Sequence, residues 1–337
     1  MKAVWGIGLL GVLLVITMLG CLFVGGMPVP AAEVWSVLTG WGPQPDDSVR
    51  FVVLGSRLPG VLTAAASGAA LAVAGLMLQA YFNNELADPS ILGVNAGAGL
   101  GVAVVMLWLG GGVAFTSGLA LTGMLAVMLA ACLGSVVALG LLVVCSMWLR
   151  SRVQLLIVGV MIGYVASAGI TLLGRMASAQ HVQAYVMWGM GDLGAVTSER
   201  LPLLLVPAGL SLAALWLAKP LGALRLGVRH AAGVGLDVRR LDWQVLLLAG
   251  ALSGSVTSLC GPLPFVGLVV PHLMRRALRT SDPRLLLPAC LLGGAWLLTL
   301  VSGVCRLFPQ ALPVGAVLPI VGAPVVGAVL FSRKQPD

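Results

Sequence analysis

The sequence predicts an all-α polytopic membrane protein with about ten transmembrane helices and both termini on the cytoplasmic side. Three observations carry this: the composition, the lengths of the apolar runs, and the placement of the basic residues. Apolar residues make up 59% of the 337 and charged residues only 9%, with a mean hydropathy of +1.07. A soluble domain of this size carries roughly 25% charge. This chain could not fold in water without exposing large apolar patches, so the bilayer is its solvent.

A spanning helix needs roughly 20 predominantly apolar residues. That ruler marks spans at about 4–26, 57–82, 91–110, 116–147, 153–176, 201–218, 242–260, 264–278, 285–307 and 313–331. The first has only Lys2 ahead of it and no A-x-A cleavage pattern, so it reads as a retained helix. An outer loop at 27–56 follows. The second span is rich in Ala and Gly; Ser67, Gly68, Ala72 and Gly75 allow close backbone approach in lipid. It ends in the polar turn Asn83-Asn84-Glu85. Asp88 then caps a re-entry, and Pro89 takes the first turn, where no amide hydrogen is needed. The eighth span is short and contains Pro271, which would bend or break it.

With the amino terminus inside and one crossing per span, the inner segments hold Lys2, Arg150, Arg152, Lys219, Arg225, Arg229, Arg239, Arg240, Arg275, Arg276, Arg279, Arg284, Arg333 and Lys334. That is 14 of the 19 basic residues, while the acids show no such bias. Only Lys and Arg follow the positive-inside rule, so the asymmetry supports both the orientation and an even span number. The net charge of +8 is therefore a topology signal, and nucleic acid is excluded as a partner because no basic face with interleaved aromatics exists. Six cysteines show no metal-ligand spacing. Cys260 and Cys305 fall near outer helix ends, where a disulfide could form.

Three ordered blocks carry a resemblance. They are Arg57-Leu58-Pro59, Gln79 and Asn84-Glu85-Leu86-Ala87-Asp88-Pro89-Ser90-Ile91-Leu92-Gly93; then Gly261-Pro262 with Phe265-Val266-Gly267-Leu268-Val269-Val270-Pro271-His272; then Leu312-Pro313-Val314-Gly315 with Gly322-Ala323-Pro324. Together they resemble the FecCD-type permease subunits of type II ABC importers, which take up iron–siderophores, haem or cobalamin. The resemblance implies a single permease domain over 1–337, working as a homo- or heterodimer in the bacterial inner (cytoplasmic) membrane. It also implies two cytoplasmic ABC ATPase subunits and an extracytoplasmic substrate-binding protein. This chain would bind no cofactor, ATP and Mg belonging to the ATPase. Consistently, it has no G-x-x-x-x-G-K-[ST] phosphate loop, and it is expected to be a transport subunit rather than an enzyme.

Site residues follow from the same resemblance. The 219–241 stretch would be the cytoplasmic segment coupling to the ATPase, through Arg225, Gly227, Val228, Arg229, His230, Gly235, Asp237 and Arg239; Val228 stands where members often carry Glu. Arg57 and Arg306 would be docking charges for the binding protein, and Gly60 replaces the family's second arginine. The translocation path would be lined by Gly159, Gly163, Ser167, Arg175, Met176, Met187, Trp188 and Met190. Soft Met and broad Trp suit a large, partly apolar cargo. Trp188-Gly189-Met190-Gly191-Asp192-Leu193 carries Asp192 where relatives have Ser. His272, with no further ligand at metal spacing, reads as a hydrogen-bonded structural histidine. The cargo expected is a metal chelate, an iron–siderophore or haem, with cobalamin as the alternative. An ion-coupled secondary transporter would bury acids at mid-membrane, and every acid here lies at or beyond a span end.

Overall fold

Apolar runs of this length leave the backbone no partner in lipid but itself, so each folds as a helix. The computed structural model describes residues 2–42, 45–108, 120–149, 151–308 and 311–332, and among them there are helices and no strands. In chain order these are α1 (Lys2–Phe23), α2 (Ala31–Thr39), α3 (Asp47–Phe82), α4 (Val94–Trp108), α5 (Ala120–Trp148), α6 (Arg152–Met176) and α7 (Ala179–Gly189). There follow α8 (Ser198–Arg225), α9 (Val228–Gly233), α10 (Val238–Cys260), α11 (Val266–Leu278), α12 (Pro283–Cys305) and α13 (Val314–Ser332). Seven of them are long and apolar enough to cross a membrane; α4 and α13 are shorter apolar helices, and α11 is the short Pro271-containing segment. Each of the ten expected spans thus has its helix. Arg150, Arg333 and Lys334, and residues 109–119, where the expected third span ends and the fourth begins, lie outside the described residues.

Two boundaries differ from expectation. The second span begins at Asp47 rather than Arg57, running through a π-helical stretch Phe51–Arg57 into Leu58–Phe82. The outer loop at 27–56 is therefore partly helical. The sixth span likewise continues through Lys219 to Arg225, so the 219–241 stretch begins as its extension.

α3 is the axis of the molecule, packed against α12, α10, α11 and α8. Nearly all its residues from Pro59 to Tyr81 are buried. Gly68 lies against the Gly294 carbonyl of α12 and Gly75 against the Gly267 carbonyl of α11, with no room for a Cβ at either. α6 is the opposite case: Ile157, Met161, Tyr164, Val165, Leu172 and Met176 form an exposed apolar stripe at helical spacing.

Candidate functional site

At the inner end, the turn after α3 is held by its own short polar side chains. Asn83 closes the helix in the left-handed conformation (φ +48°). Asp88 accepts from the Ser90 amide at 3.3 Å and the Ser90 hydroxyl at 3.0 Å, capping the single 3₁₀ turn Pro89–Leu92. Its other oxygen, Oδ1, is buried with no hydrogen-bond partner among the described residues.

Burial pushes the Asp88 carboxyl up to about 6 from its usual 3.8, with the Ser90 bonds pulling the other way. A folded-state value above the unfolded one means the native protein holds an extra proton between about pH 4 and 6. The contribution of Asp88 to stability therefore falls as pH rises through that window and is constant above it. Asp88→Asn keeps the cap and cannot ionise. Its unfolding free energy minus that of the wild type should grow from pH 4 to 6 and then level, at up to about 3 kcal/mol. A pH-independent difference would refute the assignment.

Beside this turn, α11 meets α3 across a polar joint. Pro271 has no amide hydrogen, so the Gly267 carbonyl four residues earlier loses its helical donor. Gln79 Nε2 of α3 donates to that carbonyl at 3.2 Å, and Gln79 Oε1 accepts from Arg275 Nη2 at 2.7 Å. His272 faces the Leu268 carbonyl through Nδ1 (3.0 Å) and Glu85 through Nε2 (3.5 Å). It is a structural histidine, and no group of three candidate metal ligands exists among the described residues.

The 219–241 stretch, expected to couple to an ATPase, begins in the last turns of α8. The half-buried Arg225 donates from Nη1 to the Ser281 carbonyl. Gly227 takes φ +110° and ψ 150°, a conformation open to glycine but strained for L residues, and breaks the chain between α8 and α9. α9 is anchored by buried Ala231 and leaves Val228, Arg229 and His230 exposed. Gly235 (φ +83°) turns the chain again, and the Asp237 side chain caps α10 by accepting from the Arg240 amide at 3.1 Å. Arg239 is exposed at the rim of an inner cavity shared with Tyr81, Trp148 and Trp243.

At the outer end the two arginines have separate fates. Arg57 is 4% exposed and donates to the carbonyls of Leu22 (2.9 Å) and Met27 (2.6 Å). The expectation of an exposed docking charge is corrected here: Arg57 clamps the segment after α1 onto α3 by donating to the buried Leu22 carbonyl and to that of Met27. Arg306 is only partly buried. Its guanidinium lies over Gly60, in the space a Cβ would occupy, and it lines an outer cavity of about 340 Å3 with Asp192, Ser56 and Ser302. Cys260 and Cys305 are both free thiols, Cys260 meeting the Ser67 hydroxyl at 3.5 Å.

Along the expected path, Gly159 is buried with its carbonyl against Gly93, whereas a Cβ at half-buried Gly163 would meet nothing within 4 Å among the described residues. Ser167, Arg175 and Met176 are exposed on α6. Met187, Trp188 and Met190 come together on a cavity of about 670 Å3, joined by Met106, Met128, Asp192 and the 311–314 segment. The turn behind α7 is stitched by the Gly315 amide on the Met190 carbonyl (3.0 Å) and the Asp192 amide on the Cys260 carbonyl (2.8 Å).

The model of the FecCD transport family matches residues 13–332. The chain belongs to that family. As a FecCD protein it is similar to the hemin transport system permease protein HmuU of Yersinia pestis, 33% identical over 98% of this chain and 96% of the relative. It is also similar to the vitamin B12 import system permease protein BtuC of Vibrio cholerae, 37% identical over 80% of this chain and 79% of the relative. A solved structure described as an inward-facing conformation of a metal-chelate type ABC transporter superposes with a TM-score of 0.83 at 28% identity, covering 97% of this chain and 98% of that one. The chain is thus a multi-pass ABC importer permease, a transport subunit and not a catalytic one. Within this FecCD frame the sequence reading missed Met106 and Met128, which join the cavity from α4 and α5 with no local motif to mark them. It also missed the pairing of Gln79 with Pro271, although the missing amide at Pro271 was a usable signal.

Proposed function

We propose that this permease moves a metal chelate, haem or an iron–siderophore, from an outer binding protein across the inner membrane as a dimer driven by two ATPase subunits. The observation that carries the cargo reading is the Met187–Trp188–Met190 cavity with Met106 and Met128: a broad, polarizable, mostly apolar wall suits a flat or bulky chelate passing without tight binding. The full-length similarity to a hemin permease favours the same class. Cobalamin is the second reading, favoured by the higher identity to a vitamin B12 permease over a shorter stretch.

A second permease subunit across the axis would cover the apolar stripe of α6, the helix expected to line the path. Ser167 and Arg175 on that helix would then line the path near the partner. On the inner side, α9 with Val228, Arg229 and His230 would enter a cleft of the ATPase, with Gly227 and Gly235 setting its angle and Asp237 and Arg239 behind it. On the outer side Arg306 would serve docking alone, Arg57 being committed to carbonyls.

One experiment tests cargo and assembly together. The permease is expressed with its neighbouring ATPase and binding-protein genes, purified through a tag on the permease, and reconstituted. The ATPase should co-purify, and ATP hydrolysis should rise when the binding protein is loaded with haem or a ferric siderophore. Stimulation by cobalamin alone would replace the cargo reading, and absence of any ATPase would overturn the assembly. A cysteine at Val165 of α6 should form a disulfide between two copies in membranes, unlike one at Leu9 of α1.

A further inference from the structure

The inner face carries a polar cavity of about 250 Å3 at the base of the segment proposed to couple to the ATPase. It is lined by Gln79, Asn83, Asn84, Glu85, Arg225 and Arg275, with Leu76, Ala80 and Pro283 as its floor. A tetrahedral oxyanion with part of its hydration fits that volume.

The charges favour an anion. Two guanidinium groups, from the last turns of α8 and α11, converge on one opening. Arg225 has a single protein acceptor among the described residues, the Ser281 carbonyl reached by one Nη. That bond fixes the plane of the fork and leaves its other donors for a ligand, the geometry that matches phosphate-type oxygens. Arg275 is held in place by buried Gln79. The single carboxylate, Glu85, is turned to His272 at 3.5 Å. Asn84 uses its side-chain oxygen on the Leu86 amide at 3.0 Å, so its amide hydrogens remain as donors. The lining thus brings two guanidinium groups and side-chain amides together with a single carboxylate.

We propose that this cavity is an oxyanion-binding site that takes a phosphate group. Its place gives it a consequence. Arg225 is the last residue before the Leu226–Gly227 break that leads into α9, and Arg275 and Gln79 belong to the α11–α3 joint. A bound phosphate bridges the two, tying the base of the coupling segment to the body of the permease. The phosphate group could be free in the cytoplasm or the headgroup of an anionic lipid, since both present the same oxygens.

The test uses the full chain in nanodiscs without any ATPase, so it stands apart from the transport reading. In phosphatidylcholine discs, inorganic phosphate is compared with chloride at equal ionic strength, reading the thermal unfolding midpoint. In a second arm, phosphatidylglycerol replaces part of the phosphatidylcholine and no phosphate is added. The wild type should show a saturable rise in one arm, and Arg225→Gln should lose it. A rise with phosphate marks a free anion, and a rise with phosphatidylglycerol alone marks a lipid headgroup. Asn84→Asp, which adds a negative charge at the rim and leaves the Arg225–Ser281 bond in place, should lose the rise too, so a folding defect in the arginine variant does not decide the matter. Equal rises in wild type and both variants, or no rise in either arm, overturn the site.

Discussion

Replacing Gly75 by valine is expected to remove most folded permease from the membrane. Gly75 faces the backbone carbonyl of Gly267, and a Cβ built at Gly75 falls well inside contact distance of that oxygen and its carbon. The obstacle is backbone, and the Gly267 carbonyl is further fixed by Gln79. Neither wall can rotate away. Overpacking a well-filled interior ordinarily costs about 1–3 kcal/mol; here α3 and α11 must separate while α3 is also held against α12 by the Gly68–Gly294 contact. The cost should exceed that range and approach the whole stability of the fold. Size-exclusion chromatography of detergent extracts is the measurement, with Gly140→Val as the control, because Gly140 meets nothing within 4 Å. A monodisperse Gly75→Val peak at wild-type yield would show that α3 and α11 do not cross at these glycines.

This contrast explains which parts of the molecule were legible in the chain. The existence of the spans, the polar turn at Asn83–Ser90 and its Asp88 cap are governed by residues within a few positions of one another, and these stand as expected, although the second and sixth spans run longer. The fate of Arg57 was not, because its acceptors, the Leu22 and Met27 carbonyls, lie 35 and 30 residues away and carry no side-chain signature. Arg306 over Gly60 is the same kind of fact: a missing side chain in one helix is filled by the tip of another. The spacing Gly68-x6-Gly75 recurs as Gly254-x6-Gly261, yet the copies behave differently. Gly254 packs on the Ser135 side chain, and Gly261 lies past the end of α10 with φ +76°. Small residues at helical spacing announce a close approach. They do not announce the partner, which depends on how the spans are arranged around α3.

The Gln79 joint gives the second large effect. In Gln79→Leu the Gly267 carbonyl is left buried without a donor, because Pro271 cannot supply one, and Arg275 loses its acceptor on α3. An unsatisfied buried group costs about 1–3 kcal/mol and a bond to a charged group about 1.5–3. The two share one side chain and do not simply add, so a loss of about 2–5 kcal/mol is expected in the unfolding free energy in detergent. Two further variants assign the parts. Gln79→Glu keeps an acceptor for Arg275 and removes the donor to Gly267, so its loss isolates the carbonyl. Pro271→Ala supplies an amide to that carbonyl from within α11, so Gln79→Leu should cost less on the Pro271→Ala background than on the wild type. A coupling of about 0.5–3 kcal/mol is the range for groups in one network. Strict additivity of the two substitutions would mean that Gln79 does not serve the carbonyl freed by Pro271, and that the bend of α11 is held by packing alone.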